Sequence, residues 1–321
     1  MSRIVLALLV FLALPGVAKA ETYPARPITV IVPFGAGGPI DRLARLLTES
    51  MRTTLGQPIV VENVTGASGL IGVGRVVRAV PDGYTLGIGN WPSHVLAEAA
   101  LSPPFNTLKD LQPVALLPSN PYIMIARKDF PAKTPSELID WLKKNPGKAT
   151  LGTAGPGSGQ HLAGLYFQNV TKTDLQFVPY RGGASDIVRD LIAGHVDLAF
   201  EQAITALPYL RSGTVTAYAV TSPSRIAAAA NIPTADEAGA SGLHILIWNG
   251  LWVPKGTPRP IIEKLTGAAM AAMAEPSVRA RLVEWTQEIP PVEQQTASAL
   301  GALHKADAEK WWPLVKAANP K

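Results

Sequence analysis

The amino-acid sequence predicts an α/β fold in about two domains. Three features carry this prediction: short β-branched runs typical of strands, amphipathic segments of ten or so residues between them, and glycine-rich turns at the junctions. Strands that alternate with helices of this length favour parallel βαβ units. The chain has 321 residues, and a prior of one domain per roughly 150 residues gives about two domains.

The alternation begins at the run Ile28–Val32, which Pro33 ends, and it continues to Thr221. Pro39 fits the first position of a helix, where a missing N–H costs nothing. An Ala- and Pro-rich stretch at 222–233 then interrupts this alternation, and one more strand and three helices follow it. We predict strands at 28–32, 59–61, 84–88, 122–126, 149–153, 176–179, 196–200, 215–221 and 245–253. We predict helices at 39–51, 71–80, 135–144, 159–170, 185–193, 202–211, 258–274, 276–286 and 293–317.

The composition excludes several classes of protein. The sequence contains no cysteine, which rules out disulfide scaffolds, cysteine zinc sites, iron–sulfur clusters, cysteine nucleophiles and the acylated cysteine of a bacterial lipoprotein. The histidines, at positions 94, 161, 195, 244 and 304, have no chelating spacing, so we expect no metal site. The formal charge is +5 for the whole sequence and about +3 without residues 1–20, which is too small to indicate nucleic-acid binding.

The first twenty residues have the form of a signal peptide. Arg3 supplies a positive start, an unbroken apolar run extends from Ile4 to Leu14, and Ala18-Lys19-Ala20 has the small-x-small pattern of a cleavage site. This run is too short to span a hydrocarbon core of ~30 Å. We therefore expect export to the bacterial periplasm, with cleavage after Ala20. The alternative is a short buried helix or a membrane anchor.

Three glycine-rich segments lie at strand-to-helix junctions, at 33–41, 152–161 and 178–186. Open α/β sheets bind ligands at the carboxyl ends of their strands. A helix that starts there presents unpaired backbone N–H groups at the positive end of its dipole, which favours an anion. Each segment alone is explained at least as well by an ordinary tight turn. Three of them in one chain favour a shared anion site.

The common enzyme motifs fail in this sequence. Ile40 and Gln160 stand where a dinucleotide fingerprint requires glycine, Gly147-Lys148 is followed by alanine, and no His-Glu-x-x-His occurs. Ser158 lies in Gly-Pro-Gly-Ser-Gly, which departs from the nucleophile elbow. We expect no cofactor and no enzyme activity. A secreted serine hydrolase that uses Ser158 with His161 stays open as the alternative.

A series of short motifs runs through the chain in a fixed order. Each motif is weak alone, and their order and spacing carry the information. They are Tyr23-Pro24, Arg26-Pro27-Ile28, Val32-Pro33-Phe34, Gly37-Gly38-Pro39 with Asp41, Pro81-Asp82-Gly83-Tyr84, Lys109-Asp110-Leu111, Gly157-Ser158, His161-Leu162-Ala163, Val178-Pro179-Tyr180-Arg181-Gly182, Ala219-Val220-Thr221-Ser222 and Glu237-Ala238-Gly239. The set resembles the substrate-binding proteins of tripartite tricarboxylate transporters, the Bug-type or TctC-like extracytoplasmic receptors. The resemblance covers essentially the whole chain after residue 20.

The resemblance implies a two-lobed periplasmic binding protein of type II architecture. Two α/β lobes, joined by two hinge crossovers, would close on a small organic carboxylate. We place the crossings near 121 and 222, which makes lobe I residues 21–121 with 223–321, and lobe II residues 122–222. We expect a monomer that delivers its ligand to membrane transporter subunits. A sensor kinase, or signalling without a transporter, is the alternative.

The expected ligand-binding residues lie in the three glycine-rich segments and at the ends of neighbouring strands. The resemblance implies that the N–H groups of Gly37 and Gly38 hold a carboxylate, and Thr153 and Ser158 offer hydroxyls from the opposite side. Ser158 fits a helix N-cap equally well. The full set is Phe34, Gly37, Gly38, Asp41, Trp91, Ser93, Thr153, Ala154, Ser158, His161, Tyr180, Arg181, Gly182, Glu201 and Trp248.

Two charged residues of this set have structural alternatives. Arg181 suits a bidentate contact with a carboxylate, and it suits an ion pair with Asp186 or Asp190 equally well. Asp41 would be the third residue of its helix, where an acid complements the dipole. It would also repel a carboxylate ligand. We therefore expect Asp41 to be structural unless the ligand carries an ammonium or a hydroxyl group.

Three positions depart from the family pattern and bear on the ligand, and Trp248 lies in the late strand that feeds the cleft. Ile40 replaces a small hydroxyl residue, Glu201 stands where an aspartate is common, and Trp91 stands where smaller residues are usual. Trp91 and Trp248 either stack on an aromatic acid or pack in the lobe cores. These departures favour a less polar or aromatic carboxylate over a citrate-like one. Dicarboxylates, acidic amino acids and aromatic acids all stay open.

Overall fold

The structure is a computed structural model that describes residues 23–180 and 183–318. It confirms the α/β class, because the described strands form one mixed sheet that helices cover. The predicted signal peptide at 1–20 lies outside the described residues, as do Arg181 and Gly182. We keep the names lobe I and lobe II for the boundaries given above, which stay a prediction.

Most strands and helices lie within a few residues of the predicted bounds, whereas β4 begins well before its predicted start and the short helices α3 and α4 were not predicted. The strands are β1 (Ile28–Val32), β2 (Ile59–Asn63), β3 (Thr85–Asn90), β4 (Leu111–Arg127), β5 (Thr150–Thr153), β6 (Gln176–Pro179), β7 (Leu198–Gln202), β8 (Val215–Val220) and β9 (Leu246–Pro254). The helices are α1 (Pro39–Leu55), α2 (Leu70–Val77), α3 (Ala97–Leu101), α4 (Thr107–Asp110), α5 (Pro135–Lys144), α6 (Gly159–Thr171), α7 (Ala184–Ile192), α8 (Ala203–Arg211), α9 (Arg259–Ala274), α10 (Pro276–Glu284) and α11 (Ala297–Ala318). A π-helical turn at Pro92–Leu96 leads directly into α3.

Local sequence signals account for several helix ends. Pro39 occupies the first position of α1, and Gly56 ends that helix with a φ of 70°, the left-handed conformation that glycine adopts without strain. The Thr134 hydroxyl caps α5 by accepting a hydrogen bond from the N–H of Glu137 at 3.2 Å. These signals depend on neighbouring residues alone, which is why the sequence located the starts of α1 and α5.

The sheet is mixed rather than parallel. β1 is parallel to β2 and β3, and β5 is parallel to β6 and β7. Between these two groups, β9 is antiparallel to β3 and β4, and β4 is antiparallel to β7 and β8. The parallel prediction is therefore right for each group and wrong for the strands that join them. Alternation along the chain does not determine the direction of a strand that arrives from a distant segment.

β4 runs through both halves of the sheet. Its first part, 111–121, pairs with β9, and its second part, 122–127, pairs with β7 and β8. The sequence predicted the second part alone, because Pro113, Pro118 and Pro121 interrupt the first. Register shifts between Pro113 and Ala115, and again before Asn120, accommodate these prolines.

The two segments at the predicted crossings, near 121 and 222, are hydrogen-bonded to each other. The N–H of Tyr122 donates to the Thr221 hydroxyl at 2.9 Å, and the N–H of Thr221 donates to the carbonyl of Tyr122 at 2.9 Å. The Thr221 hydroxyl donates in turn to the carbonyl of Ile245 at 2.7 Å. A short paired connection of this kind suits hinge closure of two lobes.

Three apolar cores hold the layers together. One packs α1 and α9 against β1 and β3 and contains Leu43 and Leu265. A second lies beneath α7 and α8 and contains Leu191. The third spans both lobes and contains Trp91 and Phe167. Within the described residues, none of the helices is long and apolar enough to cross a membrane.

Candidate ligand site between the two lobes

The first glycine-rich loop is held in shape by Asp41. Its carboxylate, at the third position of α1, accepts hydrogen bonds from the N–H of Gly37 at 2.8 Å, from Asn63 Nδ2 at 2.9 Å and from Arg45 Nε at 3.0 Å. Burial alone would raise the pKa of Asp41, but these hydrogen bonds and the charge of Arg45 lower it. Asp41 is therefore a structural residue in this conformation. The Gly37 N–H, which was expected to hold the ligand, therefore already donates its hydrogen bond to Asp41.

The other members of this loop also have partners inside the protein. The N–H of Gly38 donates to the carbonyl of Gly35 at 3.3 Å. The carbonyl of Phe34 accepts from Asn63 Nδ2 at 2.9 Å, and the Phe34 ring is half-buried. A ligand that binds this loop through Gly37 or Gly38 would have to reach it through water or shift it.

The loop 66–69, which is not one of the three glycine-rich segments, contacts both the first glycine-rich loop and lobe II. Four consecutive residues have positive φ: Gly66 at 123°, Ala67 at 47°, Ser68 at 53° and Gly69 at 98°. The Ser68 hydroxyl lies 3.3 Å from the carbonyl of Pro156 in lobe II, to which it donates a hydrogen bond. We did not predict a role for this loop. The glycines that flank Ala67 and Ser68 were the signal that could have revealed it.

Close packing explains why position 69 is glycine. A Cβ atom placed on Gly69 would lie 3.0 Å from Ser93 Cβ, 3.2 Å from Pro33 Cβ and 3.4 Å from Phe34 Cζ. The loop 66–69 therefore touches the first glycine-rich loop on one side and Pro156 on the other.

Replacing Gly69 with alanine is expected to lower the free energy of unfolding by about 1–3 kcal/mol, because alanine at this φ is strained and its Cβ meets Ser93. Urea unfolding of the purified variant measures the loss. Gly35→Ala is the matched control: no atom lies within 4 Å of a Cβ placed there, so a change below about 0.5 kcal/mol is expected. Equal stability of the two variants would contradict the packing argument.

The segment that follows β3 forms a closed turn. Ser93 is fully buried, and its hydroxyl accepts from the N–H of Asn90 at 3.1 Å and contacts His94 Nδ1 at 3.0 Å. The His94 ring stacks on Trp252, with 3.8 Å between the ring centroids. Burial lowers the pKa of His94 well below its usual range. The Ser93 hydroxyl is thus occupied within the turn rather than directed at a ligand.

The two tryptophans singled out by the sequence are packed in the core. Trp91 is 1% exposed and meets Trp311 edge-to-face, with 5.2 Å between the ring centroids. Trp248 is 4% exposed, and its indole N–H donates to Asp307 Oδ2 at 2.6 Å. Of the two interpretations left open above, the arrangement favours core packing over stacking on an aromatic ligand.

The second glycine-rich loop lies against lobe I. A Cβ atom placed on Gly157 would be 3.2 Å from Ala97 Cα and 3.2 Å from Ala100 Cβ, both in α3. A Cβ atom on Gly159 would meet the Tyr122 hydroxyl and would lie 3.2 Å from Pro92 Cγ. The start of α6 is therefore at the contact between the lobes, as an anion site between them requires.

The hydroxyl groups of this loop serve its own backbone. The buried Thr153 hydroxyl accepts from the N–H of Gly155 at 3.2 Å, next to the half-buried Ala154. Ser158 is the N-cap of α6, and its hydroxyl accepts from the backbone N–H of His161 at 3.2 Å. The His161 ring packs on Phe177, 4.6 Å between centroids, and its Nδ1 has no hydrogen-bond partner. Ser158 thus meets the backbone of His161 and not its ring.

The third glycine-rich segment contains Tyr180, which is half-buried. Burial and a hydrogen bond to Asp190 raise the pKa of the Tyr180 phenol. Arg189 forms ion pairs with Asp186 at 2.9 Å and with Asp190 at 3.1 Å. Both acids that were proposed as alternative partners of Arg181 therefore already have a cation of their own.

Glu201 lies near the end of β7, opposite Ile123 of β4. Its side chain is buried and hydrogen-bonds to Gln160, the second residue of α6, while Oε1 has no partner. Burial raises the pKa of Glu201 to about 8. The neighbouring Gln202 accepts a hydrogen bond from Asn120 Nδ2 at 2.8 Å.

Four buried polar atoms near the contact between the two lobes lack a hydrogen-bond partner. Unpaired buried groups are rare in native proteins, so these atoms are suited to a polar ligand that reaches them. They are Trp91 Nε1, Asn120 Oδ1, His161 Nδ1 and Glu201 Oε1. Among the described residues no cluster of His, Asp or Glu is arranged to hold a metal ion.

Comparisons with known proteins agree with this architecture. The profile of the family described as Tripartite tricarboxylate transporter family receptor matches residues 43–319. The chain belongs to this receptor family. Among curated relatives, the UPF0065 protein in the TAR-I ttuE-ttuC' intergenic region of Agrobacterium vitis is 38% identical over 321 residues, covering 99% of this chain and 92% of that protein.

Solved structures of the receptor family match over both lobes. MatC from Rhodopseudomonas palustris with bound malate is 38% identical, and the match covers 91% of this chain and 100% of that chain with a TM-score of 0.84. An R. palustris protein with adipate is 28% identical, with coverages of 92% and 98% and a TM-score of 0.86. The resemblance drawn from the sequence motifs is confirmed, and with it the periplasmic binding-protein fold.

Proposed function

We propose that this receptor binds a small dicarboxylate between its two lobes and delivers it to a tripartite tricarboxylate-type transporter. One observation carries the proposal: the loop 66–69 touches both the first glycine-rich loop and Pro156, so the starts of α1 and α6 converge where the lobes meet. Two helix starts that face one cleft suit a ligand with two anionic ends. The malate and adipate bound to the two R. palustris proteins support this class of ligand.

The packing of the tryptophans narrows the ligand class. An aromatic carboxylate was favoured in part because Trp91 and Trp248 were two tryptophans that could stack on it. Because both indoles are buried in the core, that argument no longer holds. The positive ends of two helices suit a ligand with two carboxylates better than an aromatic acid with one.

The receptor is proposed to act in the periplasm as a monomer that performs no chemistry. Family membership and the signal-peptide pattern of residues 1–20 support export, with Ala20 as the proposed cleavage position. The hydrogen bond from the His161 backbone to Ser158 supports the absence of a catalytic pair. Transporter subunits are the proposed partner, and a sensor kinase is the alternative outcome.

A thermal-shift screen with matched pairs of ligands tests the proposal. Malate is compared with lactate, and adipate with hexanoate, at equal ionic strength, so that each pair differs by a second carboxylate. A dicarboxylate at 100 times its Kd should stabilise the protein by about 2.7 kcal/mol, and its monocarboxylate partner by much less. Absence of a shift with every carboxylate would refute ligand binding. Loss of uptake of the bound dicarboxylate in a strain lacking the receptor would support delivery.

A further inference from the structure

Glu201 is a buried carboxyl group without a cation. Its side chain is 1% exposed, Gln160 is its hydrogen-bond partner, and Oε1 is unpaired. Burial raises the free energy needed to ionise such a carboxyl, because the charged form loses its hydration. A packing role alone would be served better by an apolar residue, so the retained polar atom requires another explanation.

The position of Glu201 links it to the cleft. Gln160 follows Gly159, and Gly159 touches Tyr122 on one side and Pro92 of lobe I on the other. Glu201 is therefore one hydrogen bond and one residue away from the contact between the lobes. The start of a thirteen-residue helix and an unpaired buried side chain meet at this point.

The surroundings keep Glu201 protonated near neutral pH. Tyr122, from β4, is the titratable side chain that faces it among the described residues, and burial, followed by the charge of Glu201, raises the pKa of that phenol well above its usual range. No described cation faces the carboxyl. The pKa of Glu201, at about 8, leaves it mostly neutral at pH 7.

We propose that Glu201 binds the ligand as a neutral carboxylic acid, whose hydroxyl donates a hydrogen bond to the second carboxylate of a dicarboxylate. This inference rests on the proposed function. An O–H···O⁻ hydrogen bond is short and strong compared with a neutral one, whereas an ionised Glu201 would repel the ligand.

The test is the pH dependence of affinity, measured by calorimetry with L-malate and adipate between pH 6.5 and 9.5. With a pKa of about 8 in the free protein, about a tenth of Glu201 is protonated at pH 9, so the apparent Kd should be about tenfold weaker than at pH 7. At pH 9 binding should also take up close to one proton, seen as a dependence of the heat on the buffer's ionisation enthalpy.

Two variants complete the experiment. Glu201→Gln keeps a weaker donor, so it should bind several-fold less tightly than the wild type at pH 7, with no pH dependence and no proton uptake at pH 9. Glu288→Gln is the control: desolvation also raises the pKa of Glu288, but this residue is exposed and pairs through its backbone with Ser119, so the variant should follow the wild-type profile.

The outcomes separate this inference from the proposed function. Binding of either dicarboxylate with a flat profile, or binding that tightens as the pH rises, overturns the role of Glu201 and leaves the receptor function standing. A pH profile of Glu201→Gln that matches the wild type overturns it as well. No binding of any carboxylate at any pH overturns the proposed function and this inference with it.

Discussion

Glu201→Gln is expected to raise the free energy of unfolding at pH 9 by about 5 kcal/mol, in the absence of any ligand. Burial raises the pKa of Glu201 from 4.5 to about 8 in the folded protein. Between these two values the folded state keeps a proton that the unfolded state has released. The stability contributed by this group therefore falls as the pH rises from about 4.5 to about 8. Glutamine has no proton to lose and can still pair with Gln160.

Urea unfolding of the wild type and the variant at pH 4.5, 7 and 9 measures this effect. The difference between them should be near its minimum at pH 4.5 and should grow until about pH 8, where it levels off. Contributions from other titrating groups cancel in the difference. A difference that stays constant with pH would contradict a neutral buried Glu201, and it would indicate that the carboxyl is ionised and paired in the folded state.

The fold was predictable where the determining signals are local. The run Ile28–Val32 ends at Pro33, and Pro39 begins α1, so β1 and the start of α1 follow from neighbouring residues. The end of α1 was predicted at 51 and lies at Leu55. The first part of β4 was missed because its three prolines are typical of segments that interrupt a strand. In the structure, register shifts against the partner strand β9 accommodate them. The strand directions between the two parallel groups depend on where the chain returns, which no local pattern encodes.

The candidate site was predictable in outline and less so in its contacts. The glycine-rich loops were identified because glycine at a helix start has a specific physical use. The partners of Gly37 were not, since the hydrogen bond from its N–H to Asp41 depends on how the loop folds back on α1. The loop 66–69 was missed, since Ala67 and Ser68 are ordinary residues whose positive φ emerges only in the folded chain.

The C-terminal helix was predicted as an element of lobe I, but its contacts reach both lobes. Trp311 of α11 meets Trp91 of lobe I, and it meets Tyr166 of α6 at 5.9 Å between ring centroids. Trp312 donates from Nε1 to the carbonyl of Val95 at 3.0 Å. A helix that touches the turn before α3 and the side of α6 adds a third connection to the two predicted hinge crossovers.

Trp311→Ala is therefore expected to lower the free energy of unfolding by about 3–5 kcal/mol, the range typical of a buried aromatic replaced by alanine. The indole is 4% exposed, hydrogen-bonds to Asp307, and fills the space between Trp91 and Tyr166. Trp311→Phe keeps an aromatic ring between the same neighbours and should lose clearly less.

Urea unfolding at pH 7 measures both variants, and the position of Trp311 decides how the result is interpreted. A residue that merely covers a helix end would cost little on truncation, because surface substitutions usually stay within about 0.5 kcal/mol. A loss below 1 kcal/mol in Trp311→Ala would thus contradict a bridging role for α11. A large loss in alanine that phenylalanine mostly restores would show that the ring itself, packed against α6, holds the helix across the two lobes.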